Sequence, residues 1–285
     1  MFSTDYYYLV AGLREWSLES DTKGFNVREI VDEILDSLTK SDREAVKLLY
    51  AYYDCENIIA CRTERERHNE LGNLSREQIE AMLSERSYGE LSKNVAKVVK
   101  YFNEVDDEER DEDAAINDTF EHALFEAYYR DLAESKCSFL SAWGEFDRNL
   151  RNISAAVAAR EAGRSVADVV VGGGDVVEQL KSSSASDFGL RGELQYIDAV
   201  ISAVSDEKNI VEKERKIDKV REEQASEIAV FDFFNINFIL SYLVKVNIIA
   251  RWMLLLPEAG REMLDRLIRD LDAKELVKNN KTTIN

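Results

Sequence analysis

Catalysis needs nucleophiles, proton carriers or metal ligands at workable spacings, and this sequence supplies few. Its two histidines, His68 and His122, lie far apart, and neither falls in an ExxH or HExxH frame. A metal site built on helix faces therefore lacks its usual ligands. Three cysteines, Cys55, Cys61 and Cys137, form neither a CxxC pair nor an even disulfide framework, which suits a reducing, cytoplasmic compartment. No nucleophile stands near a base in any recognisable pattern. The expectation is a protein with no catalytic residue, no metal ion and no cofactor.

One stretch could cradle a phosphate: "VVVGGGDVV", Val169–Val177. In dinucleotide folds, glycines after a strand let the backbone approach a pyrophosphate at a helix N-terminus. Gly172 and Gly174 fit that spacing, but the third glycine position is Val177. Asp175 would also set a negative charge beside the phosphates. No alternation of strand and helix surrounds the stretch, so it reads as an inter-helix turn with Asp175 as the N-cap of the next helix.

The charge balance narrows the partners. Acids outnumber bases 56 to 37, for a formal net charge of −19. Nucleic acids are bound by lysine and arginine releasing counterions, so an excess of acid argues against them, and against anionic lipid surfaces as well. A basic protein partner fits, as does plain solubility. The densest acidic run, "EVDDEERDED" at Glu104–Asp113, reads as a solvated linker. The opening "MFSTDYYYLVAGL" lacks a basic n-region and a long apolar core, so no signal peptide is expected.

The elements that must position any site are helices. A single proline in 285 residues leaves few forced breaks, and 45% hydrophobic residues are too many for disorder. Capping spacings recur at Asn26–Glu29, Ser41–Glu44, Ser75–Gln78 and Asp175–Glu178, each a polar side chain three residues before Glu or Gln. Apolar positions at helical spacing follow: Ile30, Ile34 and Leu38, then Val46, Leu49, Tyr50 and Tyr53. Two long helices are expected over "TFEHALFEAYYRDLAES" and "SFLSAWGEFDRNLRNISAAVAAREAG", the second stopping at Gly163. Ser182–Gly192 is the clearest loop. A long helix begins in "SDEKNIVEKERKIDKVREEQASEIAVFDFF", and a last one follows Pro257. Ile236–Leu256 is nearly long enough to span a bilayer, but carries Asn237, Lys245, Asn247 and Arg251, so it reads as a buried helix. "FDFF" and Tyr6–Tyr8 read as core and interface aromatics. No run of strands is evident.

A repeat runs through these helices. "NIIA" occurs at Asn57–Ala60 and at Asn247–Ala250, and "NISA" at Asn152–Ala155 stands midway, 95 residues from each. The same shift aligns Leu48 with Trp143 and Phe238. Asparagine is a poor helix-interior residue because its amide competes for backbone hydrogen bonds. Three at matching places suggest one shared job, such as bridging a neighbouring helix or loop. Three similar helical units are therefore expected, over residues 1–95, 96–190 and 191–285, with Asn57, Asn152 and Asn247 as the repeat positions.

"DYYYLVAGL", "FLSAWGEFDRNLRNISAAVAAR" and "KERKIDKVREE…FDFFNINFILSYLVKVNIIARWMLLLPEAGREML" resemble an uncharacterised bacterial family encoded with V/A-type ATP synthases. That family is similar to a divergent form of the C-type coupling protein of V-type ATPases, the d-type of eukaryotes. The resemblance covers nearly the whole chain and departs from the pattern at Arg14, where proline commonly follows Gly-Leu. It implies an all-helical, funnel-like protein of three similar domains with pseudo-threefold symmetry. Such a protein caps the membrane rotor ring on the cytoplasmic side, receives the central stalk and has no catalytic residues. The expected partners are then the rotor ring and the proteins of the central stalk, and the expected location is cytoplasmic, peripheral to the inner membrane. A freestanding acidic helical adaptor is the alternative, and an enzyme using the Gly172–Gly174 loop the remote one.

Overall fold

Six of the described helix starts are set by short polar side chains that accept from the first free backbone N–H groups. A computed structural model describes residues 4–17, 22–105, 119–205 and 209–254, and within them every regular element is an α-helix. Asn26 caps α2 (Val27–Ser37) and donates to Glu29 at 2.8 Å, as its spacing predicts. Ser75 and Gln78 form a complete reciprocal capping box at the start of α4 (Arg76–Glu85).

Two expected caps differ. α3 (Lys40–Arg62) starts at Thr39 rather than Ser41, because Thr39 is extended and its hydroxyl accepts from the Asp42 N–H while donating to the Asp42 carboxylate. The Thr39 N–H donates to the Tyr6 hydroxyl at 3.2 Å, so no reciprocal capping box closes here. α8 (Asp175–Ser182) takes Gly174 as its N-cap, at φ +106°, where a side chain is rarely tolerated. Asp175 is the first helical residue instead, still well placed for the helix dipole.

The remaining described helices are α1 (Tyr7–Gly12), α5 (Lys93–Glu104), α6 (Phe120–Ala133), α7 (Ser138–Glu161), α9 (Ile197–Val204), α10 (Ile210–Ile228) and α11 (Ile236–Met253). α7 ends just before Gly163, at φ +65°, as expected. The expected helix through "FDFF" stops at Ile228. A turn follows, and Asn235 recaps the chain by accepting from the Asn237 and Phe238 N–H groups, so a local side-chain bond wins over helix continuation. The acidic stretch beyond Val105, residues 255–256 and the helix expected after Pro257 lie outside the described residues.

α7 is the central helix, packed on both α6 and α9. α5 packs on α6, and α9 on α10; α3 packs on α6, and α7 on α10; α4 packs on α3, and α8 on α7. α11 lies against α3, α7 and α10 and also reaches back to α2. One apolar core runs through all of this, from Tyr6 to Val244. Gly144 lets α6 and α7 approach closely, since a Cβ there would sit 2.8 Å from Leu132 Cβ. α11 is apolar enough and long enough to cross a bilayer, yet Ile239, Leu240, Leu243 and Val244 are buried in this core.

Candidate functional site

The three repeat asparagines are buried, each mid-helix. Asn57 on α3 holds the chain beyond its helix with a two-bond clamp: it accepts from the Asn69 N–H at 2.6 Å and donates to the Asn69 carbonyl at 3.0 Å. Asn152 on α7 does the same to Val171, at 2.8 and 2.9 Å. A carboxamide suits this role because it presents one donor and one acceptor side by side, matching the N–H and C=O of a single residue. Asn247 on α11 accepts from the buried Tyr50 hydroxyl at 2.8 Å, tying α11 to α3. The three are thus not one cluster but anchor points in separate surroundings. Val171 leads into the glycine stretch, where Gly172 is at φ +80° and Val177 is fully buried, so the loop is an inter-helix turn in this fold.

Around the first clamp sits a second anchor. The buried Asp54 carboxylate accepts from Asn73 at 2.6 Å and from the Leu74 N–H at 3.0 Å. Burial raises its pKa, and these bonds pull it back only in part. Gly72 passes so close that a Cβ there would meet Asn57 Nδ2 at 2.7 Å and Asp54 Oδ1 at 2.9 Å. Asp131 on α6 caps α5 from outside, accepting from the Asn94 and Val95 N–H groups.

A buried charge ladder ties four helices together. Asp147 on α7 accepts from Tyr129 on α6 and from Arg151, both at 2.8 Å, and faces Arg221 on α10. Arg221 donates to Asp218 at 2.8 Å, and Asp218 in turn accepts from Arg251 and Trp252 on α11. Burial alone would raise the Asp147 carboxyl, but Arg151 and Arg221 outweigh it and hold the group below the usual carboxylate range. Arg151 also stacks on Tyr52, whose hydroxyl burial pushes up to about 12.

At one end of the bundle three helix-hairpin turns converge. Tyr6 bridges two of them: its N–H donates to the Phe234 carbonyl at 2.6 Å, and its hydroxyl contacts Thr39 and Asp42. Asn237 reaches the third, donating to Ser138 at 3.0 Å. Tyr6 is core, but Tyr8, Phe231 and Phe233 stand open to solvent, at 98%, 87% and 62% exposure. Tyr7 packs on Phe234 at 4.6 Å between ring centroids, so this aromatic edge has a fixed backbone. Beside it a groove of ≈ 460 Å³ runs between α1 and α2, lined among others by Tyr8, Leu13, Trp16, Ile30, Glu29 and Glu33.

Asp147, Asp218 and Gly72 carry no sequence signal of their own. Asp147–Arg151 and Asp218–Arg221 look like ordinary surface pairs at helical spacing. Only the apolar neighbours of Asp147 in "WGEFDRNL" hint that it faces inward. Among the described residues no group of three His, Cys, Asp or Glu side chains is placed to hold a metal ion.

A family model described as "Protein of unknown function (DUF2764)" matches residues 3–275. Neither the curated proteins nor the solved structures include a match to this chain.

Proposed function

The chain belongs to the DUF2764 family of proteins of unknown function, and we propose that it is a non-catalytic coupling component of a V/A-type rotary ATPase, similar to the C-type or d-type coupler, linking the membrane rotor ring to the central stalk. The observation that carries this reading is the repeated clamp, Asn57 on Asn69 and Asn152 on Val171, at a spacing of 95 residues. The packing supports three related units: α2–α5, α6–α9 and one opening with α10 and α11. In each, the long helix leans on the first helix of the next unit, α3 on α6 and α7 on α10, and α11 on α2 completes the cycle. On this division the boundaries fall between α5 and α6 and between α9 and α10, since a cut at residue 95 would divide α5.

A coupler must resist torsion. Clamped loops, one continuous core and charged side chains bridging α6, α7, α10 and α11 serve that end, because packed interiors deform little. The resemblance of the opening and closing segments to the family encoded with V/A-type ATP synthases supplies the partners: rotor ring and central stalk, on the cytoplasmic side of the inner membrane. No catalytic step, cofactor or metal ion forms part of this reading.

The test is co-purification and coupling. The tagged chain should recover rotor-ring and stalk proteins from detergent-solubilised membranes, and its deletion should leave ATP hydrolysis no longer pumping ions. Absence of every ATPase component, or intact coupled pumping after deletion, would overturn the proposal. The net charge of −19 and the acidic groove would equally serve a freestanding adaptor for a basic protein, and that reading would then take its place.

A further inference from the structure

We infer that the groove between α1 and α2, together with the aromatic edge of Tyr8, Phe231 and Phe233, is a docking site for an amphipathic helix of a protein partner that carries lysine or arginine beside its apolar stripe.

The apolar part of the surface is exposed on backbone held by tertiary hydrogen bonds. Isolated exposed hydrophobic side chains are normal, but a contiguous set marks an interaction surface. Here Tyr8 lines the groove with Leu13, Trp16 and Ile30, and its neighbour Tyr7 packs on Phe234, so the turn that carries Phe231 and Phe233 abuts the α1 wall of the groove. Its backbone is pinned by the Tyr6–Phe234 hydrogen bond and by the Tyr242 hydroxyl donating to the Arg14 carbonyl at 2.9 Å. A surface held in this way loses little freedom on binding. The groove runs beside α2, whose 11 residues span about 16 Å, the length of roughly three turns of a helix laid alongside.

The charged half selects the partner. Glu29 and Glu33 line the groove, and Asp32 and Asp36 are exposed on the same helix, against Arg28 alone. The groove's own cation, Arg14, stacks its guanidinium over Trp16 at 4.0 Å. Glu222, Glu223 and Glu227 are exposed on the part of α10 that leads into the aromatic turn. This acidic surround repels anionic lipid headgroups and a second acidic copy alike, and favours basic side chains flanking an apolar stripe. The inference deepens the coupling proposal and rests on it only for the partner's identity, which would be a protein of the ring or stalk.

The test places the photo-crosslinker p-benzoylphenylalanine at position 8 or 233 of the full-length chain in its native cells, and maps the adducts by mass spectrometry. A second arm measures the affinity of the recovered complex for Glu33→Lys and Phe233→Ser, both at exposed sites where circular dichroism should show unchanged helix content. The inference expects adducts on one helical segment with basic and apolar residues, and at least a tenfold loss of affinity for either substitution. Adducts on lipid, on a second copy of the chain or on an acidic segment would overturn it, as would no adduct at either position. The two proposals separate cleanly. Adducts on a basic amphipathic helix outside the ATPase would keep the docking site and sink the coupler. ATPase proteins that co-purify regardless of both substitutions would keep the coupler and sink the docking site.

Discussion

Asn57 and the backbone N–H and C=O of Asn69 are joined by two hydrogen bonds, and Asn152 and Val171 repeat the arrangement one long helix later. In both cases a mid-helix carboxamide turns outward from its own backbone ladder to satisfy the N–H and C=O of a half-buried loop residue. Replacing Asn57 by Leu keeps the branching at Cγ but orphans that N–H and C=O, each costing about 1–3 kcal/mol. Asn57→Leu and Asn152→Leu should therefore each lower unfolding free energy by about 2–4 kcal/mol in urea titrations. A loss below about 0.5 kcal/mol would mean that water replaces the clamp and that it holds nothing.

Gly72 is fixed by the same clamp. A methyl group there would press on Asn57 Nδ2 and Asp54 Oδ1, both inside contact distance. Gly72→Ala should destabilise by about 1–3 kcal/mol, the usual range for overpacking. In an Asn57→Ala background one of the two opposing atoms is gone, so the cost of Gly72→Ala should shrink. A double-mutant cycle with no coupling would refute this origin for the glycine.

The sequence makes the helices legible because helix signals are local. Asn26, Ser75 and Gly163 act at the positions their spacing predicts, and the shared Asn-Ile pattern points to residues that the fold does use. It misleads where two local signals compete, as at Thr39 against Ser41 and at Gly174 against Asp175, because neighbouring capping residues differ by only a fraction of a kcal/mol. The candidate surface is less legible. Tyr7 and Tyr8 lie more than 200 residues from Phe231–Phe234, and tertiary contacts, the Tyr6–Phe234 backbone bond and the Tyr7–Phe234 ring contact, bring the two segments together. Asp147 and Asp218 are hidden for a similar reason, since their arginine partners at helical spacing imitate a solvated face.

Asp147 should carry acid sensitivity in the bundle. The native Asp147 carboxyl titrates below its ordinary value because Arg151 and Arg221 outweigh the effect of burial. Folding therefore favours its ionised form. That contribution is present above the unfolded pKa of about 3.9 and is lost as pH falls through the lower native value. Asp147→Asn should be less stable than the parent at about pH 7 and should lose less on acidification from about pH 5 to about pH 2. Asp218→Ala leaves Arg221 and the Trp252 N–H short of their acceptor and should cost about 3–5 kcal/mol. Parallel acid limbs for the parent and Asp147→Asn would remove Asp147 from this account.

The alkaline limb should be set by tyrosines of the α3–α6 contact. Burial raises the hydroxyls of Tyr50, Tyr53, Tyr128 and Tyr129 above their ordinary value, and that of Tyr52 to about 12. Here folding favours the protonated form, so the sign is opposite to that of Asp147. The stability is fully present below the unfolded pKa of about 10 and is lost as pH rises through the native values. Tyr128 donates to the Leu49 carbonyl and Tyr50 to Asn247, so ionising either would set a charge in the core and break a link between helices. Absorbance of the phenolate should then report two phases: exposed tyrosines first, and the buried set only together with the loss of helical circular dichroism. A single phase near about pH 10 with helix content intact would mean that these rings are open to water and that α3 and α6 do not pack through them.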